Sequence, residues 1–142
     1  MTREEITALF DERQQAWQRR DPDELAARHA ERGVVFSPMF GTLHGRAAIR
    51  RSYVSLYGIF PDWDLTTEEL LIDGDRVAER FTASATHVGE FLGIAGTRRR
   101  FQIQGVRIFD VAGGLVQNER RIYDFTAMLI QIGVLKGKPA KE

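Results

Sequence analysis

Residues 63–88, WDLTTEELLIDGDRVAERFTASATHV, decide the fold class. Asp73-Gly74 joins two runs of apolar, β-branched and alternating polar residues. A two-residue Asp-Gly link is a strong hairpin signal because both residues tolerate the positive φ that a tight turn demands. Strands are therefore predicted over 63–72 and 76–88. Two more runs, 98–109 and 115–123, flank the turn Ala112-Gly113-Gly114 and extend the pattern to four strands.

Upstream the period changes to that of helices. Thr2 and Glu5 have capping-box spacing, each side chain satisfying an orphan backbone donor of the first turn. Ile6, Leu9, Phe10, Ala16 and Trp17 then share one face of a helix running to about Arg19. Asp21-Pro22-Asp23-Glu24 restarts the pattern with an N-cap, a proline at the first helical position and acid in the first turn, giving a short helix that ends near His29. Residues 33–38 read as a short strand stopped by Pro38, and 41–45 as loop. From Arg46 a third helix carries Ile49, Tyr53, Leu56 and Tyr57 on one face, and Pro61 closes it. After the strands, Asp124 caps a last helix with Phe125, Met128, Leu129 and Ile132 on one face and Gly133 as its stop. Three helices with one short strand, four longer strands and a closing helix make an α+β fold. The strands suit a curved antiparallel sheet forming a cone packed on three to four helices, with an apolar pocket between the layers. Residues 1–135 form one domain in this reading, and 136–142 a mobile basic tail.

Composition narrows the function classes. The chain has 142 residues, 43% hydrophobic and 28% charged, an ordinary globular balance. Twenty Lys and Arg balance twenty Asp and Glu, so the chain lacks the cationic excess with which a nucleic-acid binder neutralises phosphates. The absence of cysteine removes disulfides, thiolate chemistry and Cys-ligated zinc. No apolar run approaches the roughly 20 residues of a membrane span, and the polar start Met1-Thr2-Arg3-Glu4-Glu5 lacks a signal peptide's apolar core. The expectation is a cytoplasmic protein with neither a membrane nor a nucleic-acid partner. His29, at a helix end, His44, in a loop, and His87, at a strand end, stand isolated from one another and from carboxylates at ligand spacing, so no metal site is expected. Arg98-Arg99-Arg100 reads as a solvated turn.

The segments His87-Val88-Gly89-Glu90-Phe91-Leu92-Gly93-Ile94, Thr97-Arg98-Arg99-Arg100-Phe101, Tyr123-Asp124-Phe125 and Leu129-Ile130-Gln131-Ile132-Gly133 resemble the SnoaL-like polyketide cyclases of the nuclear-transport-factor-two-like superfamily. Phe36-Ser37-Pro38 and His44-Gly45-Arg46 extend the resemblance over nearly the whole chain. It implies the cone fold, a homodimer packed through the outer sheet face, and cofactor-free chemistry on bulky apolar substrates. It also exposes departures. The position of the cyclases' aspartate base is Arg121 here and that of their histidine is Arg107; arginine stays protonated and cannot act as that base. The base aspartate of the related ketosteroid isomerases becomes Ser37, and their protonated aspartate falls near Gln104. Of the Asp-Arg-Asp set of limonene epoxide hydrolases, Arg80 matches the arginine, while Thr82 and Arg121 replace the aspartates.

The family register implies inward faces made of Arg80, Thr82 and Ser84 on one strand, Gly105, Arg107 and Phe109 on the next, and Glu119, Arg121 and Tyr123 on the last. Glu119 is then the candidate general acid or base, with Arg121 and Arg107 stabilising a substrate oxyanion, enolate or carboxylate. Ser37 and Tyr53 supply orienting hydroxyls, and Arg80, Tyr123, Phe36, Trp63 and Phe109 complete a binding site for a small hydrophobic, oxygenated molecule. The implied reactions are isomerisation, cyclisation or hydration, in the isomerase and lyase classes. Asp124 is a helix cap first. Two other readings stay open: a non-catalytic binding domain for an acidic apolar ligand, and a dimeric interaction module in which the charges form a structural ion-pair network.

Overall fold

The computed structural model describes residues 1–141. Its elements are α1 (Arg3–Arg19), α2 (Pro22–Ala27), β1 (His29–Ser37), β2 (Gly41–His44), α3 (Arg46–Ile59), β3 (Asp64–Asp73), β4 (Arg76–Thr86), β5 (Arg100–Ala112), β6 (Leu115–Tyr123) and α4 (Phe125–Gln131). The six strands form one sheet in the order β2-β1-β6-β5-β4-β3. Four pairings are antiparallel, and β1 runs parallel to β6, so the sheet is mixed. β1 and β6 are remote in sequence, and the long intervening chain supplies the crossover that a parallel pairing requires.

The local chemistry acts as the sequence predicts at most ends. The Thr2–Glu5 capping box is formed in both directions. Asp21 accepts from the backbone of Asp23 and Glu24, with Pro22 opening α2. Asp124 accepts from the Ala127 backbone at 2.9 Å and starts α4. Gly113 and Gly114 both take positive φ in the second hairpin turn, and the first turn is Gly74-Asp75, one residue later than expected, with Asp73 paired to Arg76 and positive φ at Gly74.

Two further expectations are corrected. Residues 41–44 are a strand, β2, paired with Val34–Ser37 of β1, because Ser37 Oγ accepts the Met39 and Phe40 backbone donors and turns the chain back on itself. His29 does not sit at a helix end: α2 stops at Ala27, and His29 opens β1, wholly buried. The anticipated tail, 136–142, carries no regular secondary structure over 136–141, and Glu142 lies outside the described residues.

The core has two parts. The larger joins α1, α2, α3 and α4 to the concave sheet face through Trp17, Ile49, Tyr53, Phe60, Phe81 and Phe101. The smaller, at the hairpin-turn end, packs Ile6, Leu9 and Phe10 of α1 on Val77, Phe109 and Val111. Charged side chains occupy the place where the two meet.

Candidate functional site

In an antiparallel pair, residues directly opposite each other point to the same face. Glu79 lies opposite Arg107, and Arg107 lies opposite Arg121. All three therefore project into the concave side, with Phe81 and Gly105 following by the same rule. Arg80 lies opposite Val106, which faces out. This overturns the expected inward face of β4: Val77, Glu79, Phe81, Ala83 and Ala85 point in, while Arg80, Thr82 and Ser84 point out. Arg80 is half exposed and pairs with Glu69 across β3 at 3.3 Å. A one-residue slip exchanges the two faces of a strand, and the pairing with β5 fixes the slip.

Glu119, on β6, has no solvent exposure and is the hub. Arg121 Nε donates to its Oε2 and Arg13 Nη2 to its Oε1, the latter at 3.3 Å. Arg107 Nε stands 4.0 Å from Oε2, and Arg107 Nη1 stands 3.9 Å from Glu79 Oε1. Thr67 Oγ1 donates to the other Glu79 oxygen at 2.7 Å. Aromatic faces cover the guanidinium groups. Arg107 lies between Trp17 and Phe81, at 4.9 and 4.6 Å from their centroids, and Arg13 lies 4.9 Å from that of Phe109. Such contacts gain in strength when desolvated. Three guanidinium ions (Arg13, Arg107, Arg121) thus face two carboxylates (Glu79, Glu119), and the interior holds one excess positive charge.

Electrostatics follow from that imbalance. Burial pushes the Glu119 carboxyl up, but Arg121, Arg107 and Arg13 together outweigh it and hold the group well below the carboxylate range. Burial pulls Arg107 down, against the pull of Glu119. For Arg121 burial pulls down most strongly, but the attraction of Glu119, the nearby Tyr53 and the hydrogen bond to Glu119 together outweigh it, and its proton is held more tightly than usual. His29 is pulled down to about 3, first by burial and then by Arg13, and is a neutral imidazole at pH 7.

A hydroxyl chain continues from this hub. Arg121 Nη2 donates to the Tyr53 hydroxyl at 3.3 Å, and that hydroxyl lies 3.0 Å from His29 Nε2. Arg13 Nη1 stands 3.5 Å from the same nitrogen. A guanidinium has donors only, so His29 Nε2 is an acceptor and the Tyr53 proton points at it. Tyr123 sits beside Ser37 and the Met39 backbone, half-buried near Phe125. The concave side therefore brings together Glu119, Arg121, Arg107, Tyr53, Tyr123, Ser37 and Trp63 from the expected set, the last packed on Phe60 and Phe101.

Two expected lining residues lie elsewhere. Phe36 points to the outer sheet face under Arg120, whose guanidinium carbon is 4.2 Å from the ring centroid; inward Val35 and Ser37 flank it. Phe109 faces inward but belongs to the smaller core cluster, stacked edge-on with Phe10. Three residues of the network were not anticipated: Arg13, Glu79 and His29. Arg13 carried a signal, because position 13 completes the Ile6, Leu9, Phe10, Ala16, Trp17 face of α1 and a charge there must be buried. Two surface hollows lie away from the network, one of about 560 Å³ lined by Ala26, Glu31, Arg46 and Arg50 and one of about 290 Å³ at Leu71, Val77 and Ile108; two others, of about 330 and 390 Å³, open beside Phe36 and Arg120, the first including Ser37 and Arg121 in its lining and the second Glu119.

Among the described residues no group of three His, Cys, Asp or Glu side chains is placed to hold a metal ion. No helix there is long and apolar enough to cross a membrane.

No curated protein sequence matches the chain at a significant level. Solved structures do. TsrD from Streptomyces laurentii superposes with a TM-score of 0.82 at 25% identity, covering 95% of this chain and 99% of its own. AclR from Streptomyces galilaeus, a candidate hydroxylase, gives 0.82 at 27% identity over 97% of this chain and 91% of its own. IdmH from Streptomyces antibioticus, a candidate polyketide cyclase, gives 0.76 at 26% identity over 89% and 97%. The model of the SnoaL-like polyketide cyclase family matches residues 8–132, and the chain belongs to that family.

Proposed function

We propose that the chain is a cofactor-independent enzyme that binds a hydrophobic oxygenated molecule of polyketide, terpenoid or steroid type and promotes its isomerisation, cyclisation or hydration from the oxygen side. One observation carries this reading: Arg121, anchored by Glu119, donates to the Tyr53 hydroxyl within an interior that holds an excess positive charge. A carbonyl oxygen brought to Arg121 meets a preorganised guanidinium donor in a water-poor setting, where stabilisation of a developing enolate is worth most, while the α-proton passes to solvent water; Tyr53, its own proton directed at His29, holds the Arg121 guanidinium in place. Arg107, between its aromatic faces, adds long-range positive potential. Ser37 and Tyr123 orient the ligand at the half-buried edge, and Trp63 supplies apolar wall. Glu119 serves as counter-ion to Arg121. Three neighbouring guanidinium groups make its carboxylate a weak base, which shifts the catalytic weight to the donors.

The excess positive charge also favours a second reading, a binding domain for an acidic apolar ligand. The two part in one experiment: incorporation of solvent deuterium at the α-carbons of 2-tetralone, followed by NMR, beside a binding titration with 2-naphthoate. An enzyme exchanges the tetralone protons, and Arg121→Met lowers the exchange about a hundredfold. Saturable naphthoate binding without exchange supports the binding domain and defeats the enzyme.

The homodimer is proposed through the outer sheet face, where Leu71 and Ile122 are exposed at 60% and 50%; a monomeric mass by light scattering would refute it. A cytoplasmic setting suits a chain without cysteine.

A further inference from the structure

Charge is unevenly spread along a chain whose formal total is zero. Residues 91–100 and 125–141 contain Arg98, Arg99, Arg100, Lys136, Lys138 and Lys141 and no Asp or Glu. Of the twenty cations, fourteen are then left to face twenty carboxylates elsewhere. Counting Glu90 and Asp124, which border the two segments, still leaves an excess of four positive charges there. All six cations are exposed, and only Arg100 has an ion-pair partner among the described residues, Asp62 at 3.2 Å.

The fold brings the two segments together. Thr97 Oγ1 donates to the Ile132 carbonyl at 2.5 Å, Arg99 lies against Gly133, and Phe91 meets Phe125 with ring centroids 6.2 Å apart. Four of the seven large apolar side chains that stand exposed among the described residues belong to these same segments: Leu92, Ile94, Ile130 and Leu135. Leu92 and Gly93 form the tip of a two-residue turn, closed by the two backbone hydrogen bonds between Phe91 and Ile94 at 2.9 Å. Both tip residues have positive φ, 52° and 76°. A turn of this kind prefers Asn-Gly, because a bulky residue is crowded in the left-handed region. Leucine takes the asparagine place with 59% of its surface exposed, so its strain is offset by no burial within the chain.

We infer that this end of the molecule is a peripheral docking surface for an anionic lipid bilayer, with Leu92 and its apolar neighbours entering the headgroup region and the cations meeting the lipid charges. Roughly four to eight clustered Lys and Arg residues suffice to hold a chain at such a surface, and exposed aliphatic groups add the hydrophobic part of the binding. Shape favours lipid over a protein partner. A protruding turn and residues 136–141, which carry no regular secondary structure, present charge and apolar area to a fluid surface without a matching contour. The expectation of no membrane partner rests on the lack of a spanning segment, and peripheral contact requires none. The surface uses neither Arg121 nor Glu119 and goes beyond the small-molecule reading.

The test is flotation of the full-length protein with vesicles of phosphatidylcholine alone or with about 30% phosphatidylserine, at about 50 mM and about 500 mM KCl. The protein should float with the anionic vesicles at low salt and be released at high salt. The combined variant Lys136→Gln, Lys138→Gln and Lys141→Gln should bind about a hundredfold more weakly. Leu92→Asn should weaken binding about tenfold yet leave the thermal midpoint unchanged or higher, because asparagine suits the turn; a residue that only supports the fold would not split the two readouts. Equal flotation with neutral and anionic vesicles, no flotation, or parental binding by either variant overturns the inference. Poly-L-glutamate titrated in parallel separates the other partner class: binding to it as tight as to vesicles and insensitive to Leu92→Asn assigns the surface to an acidic polypeptide and overturns the lipid. None of these failures touches the role of Arg121, which stands or falls by the exchange experiment.

Discussion

Substituting Glu119→Gln tests whether the buried network is held by charge. The change keeps shape and volume but removes the negative pole to which Arg121 and Arg13 donate and beside which Arg107 lies. Three guanidinium groups would then share Glu79 alone. Breaking a buried pair by removing one partner costs about 3–5 kcal/mol, because the remaining charge stays desolvated. At this chain length that corresponds to a fall in Tm of roughly 6–20 °C. Urea unfolding followed by circular dichroism should show a lower midpoint with an unchanged slope. Adding Arg121→Met removes one stranded cation, so the double variant should be more stable than the sum of the single losses by about 1 kcal/mol or more. The same charge predicts an acid limb. The folded-state pKa of Glu119 lies below its ordinary 4.5, so the pairs add stability at all pH above that value and lose it as the pH falls further. Glu119→Gln should flatten the decline below pH 4.5. A variant within about 1 kcal/mol of the parent, or one with the parent's acid limb, would refute the argument that ionic pairing holds this interior.

His29 should titrate in a separate window. The unfolded chain takes a proton near pH 6.5, while the folded chain keeps His29 neutral down to about 3, so stability falls as the pH drops from 6.5. By pH 4.5 the loss is about 2–3 kcal/mol, and His29→Gln should remove that part of the slope in urea midpoints measured between pH 7 and 4.5. An unchanged slope would mean that His29 charges within the fold. Gly89→Ala should destabilise sharply, by about 2 kcal/mol or more, because its Cβ would stand 2.2 Å from the Gly58 carbonyl oxygen; thermal melts give the answer. Arg80→Ala should stay within about 0.5 kcal/mol of the parent, since Arg80 lies on the exposed face with a solvent-screened partner. A large loss there would put Arg80 back inside the cone.

What the sequence determined by itself was local. The Gly113-Gly114 turn, the Thr2–Glu5 box, the Asp21-Pro22 start and the Asp124 cap are set by backbone and side-chain chemistry within a few residues, so they form where predicted, and the first hairpin turns one residue later, at Gly74-Asp75. The inward placing of Glu119, Arg121 and Arg107 agreed with the register of a resembling family. Tertiary structure decided the rest. Alternation gives β4 two equally legible faces, and only its pairing with β5 turns Glu79 inward and Arg80 out. His29 looked like a helix end because α2 leads up to it, but parallel pairing of β1 with β6 extends the strand back to it, opposite Val116. Arg13 interrupts an apolar helical stripe, and the sequence does not say what would neutralise it. Its counter-charge, Glu119, lies 106 residues away on a strand brought near only by the closing of the sheet over α1. Long-range pairing of charges is a property of the fold, because desolvation makes a buried charge depend on partners that no local window contains.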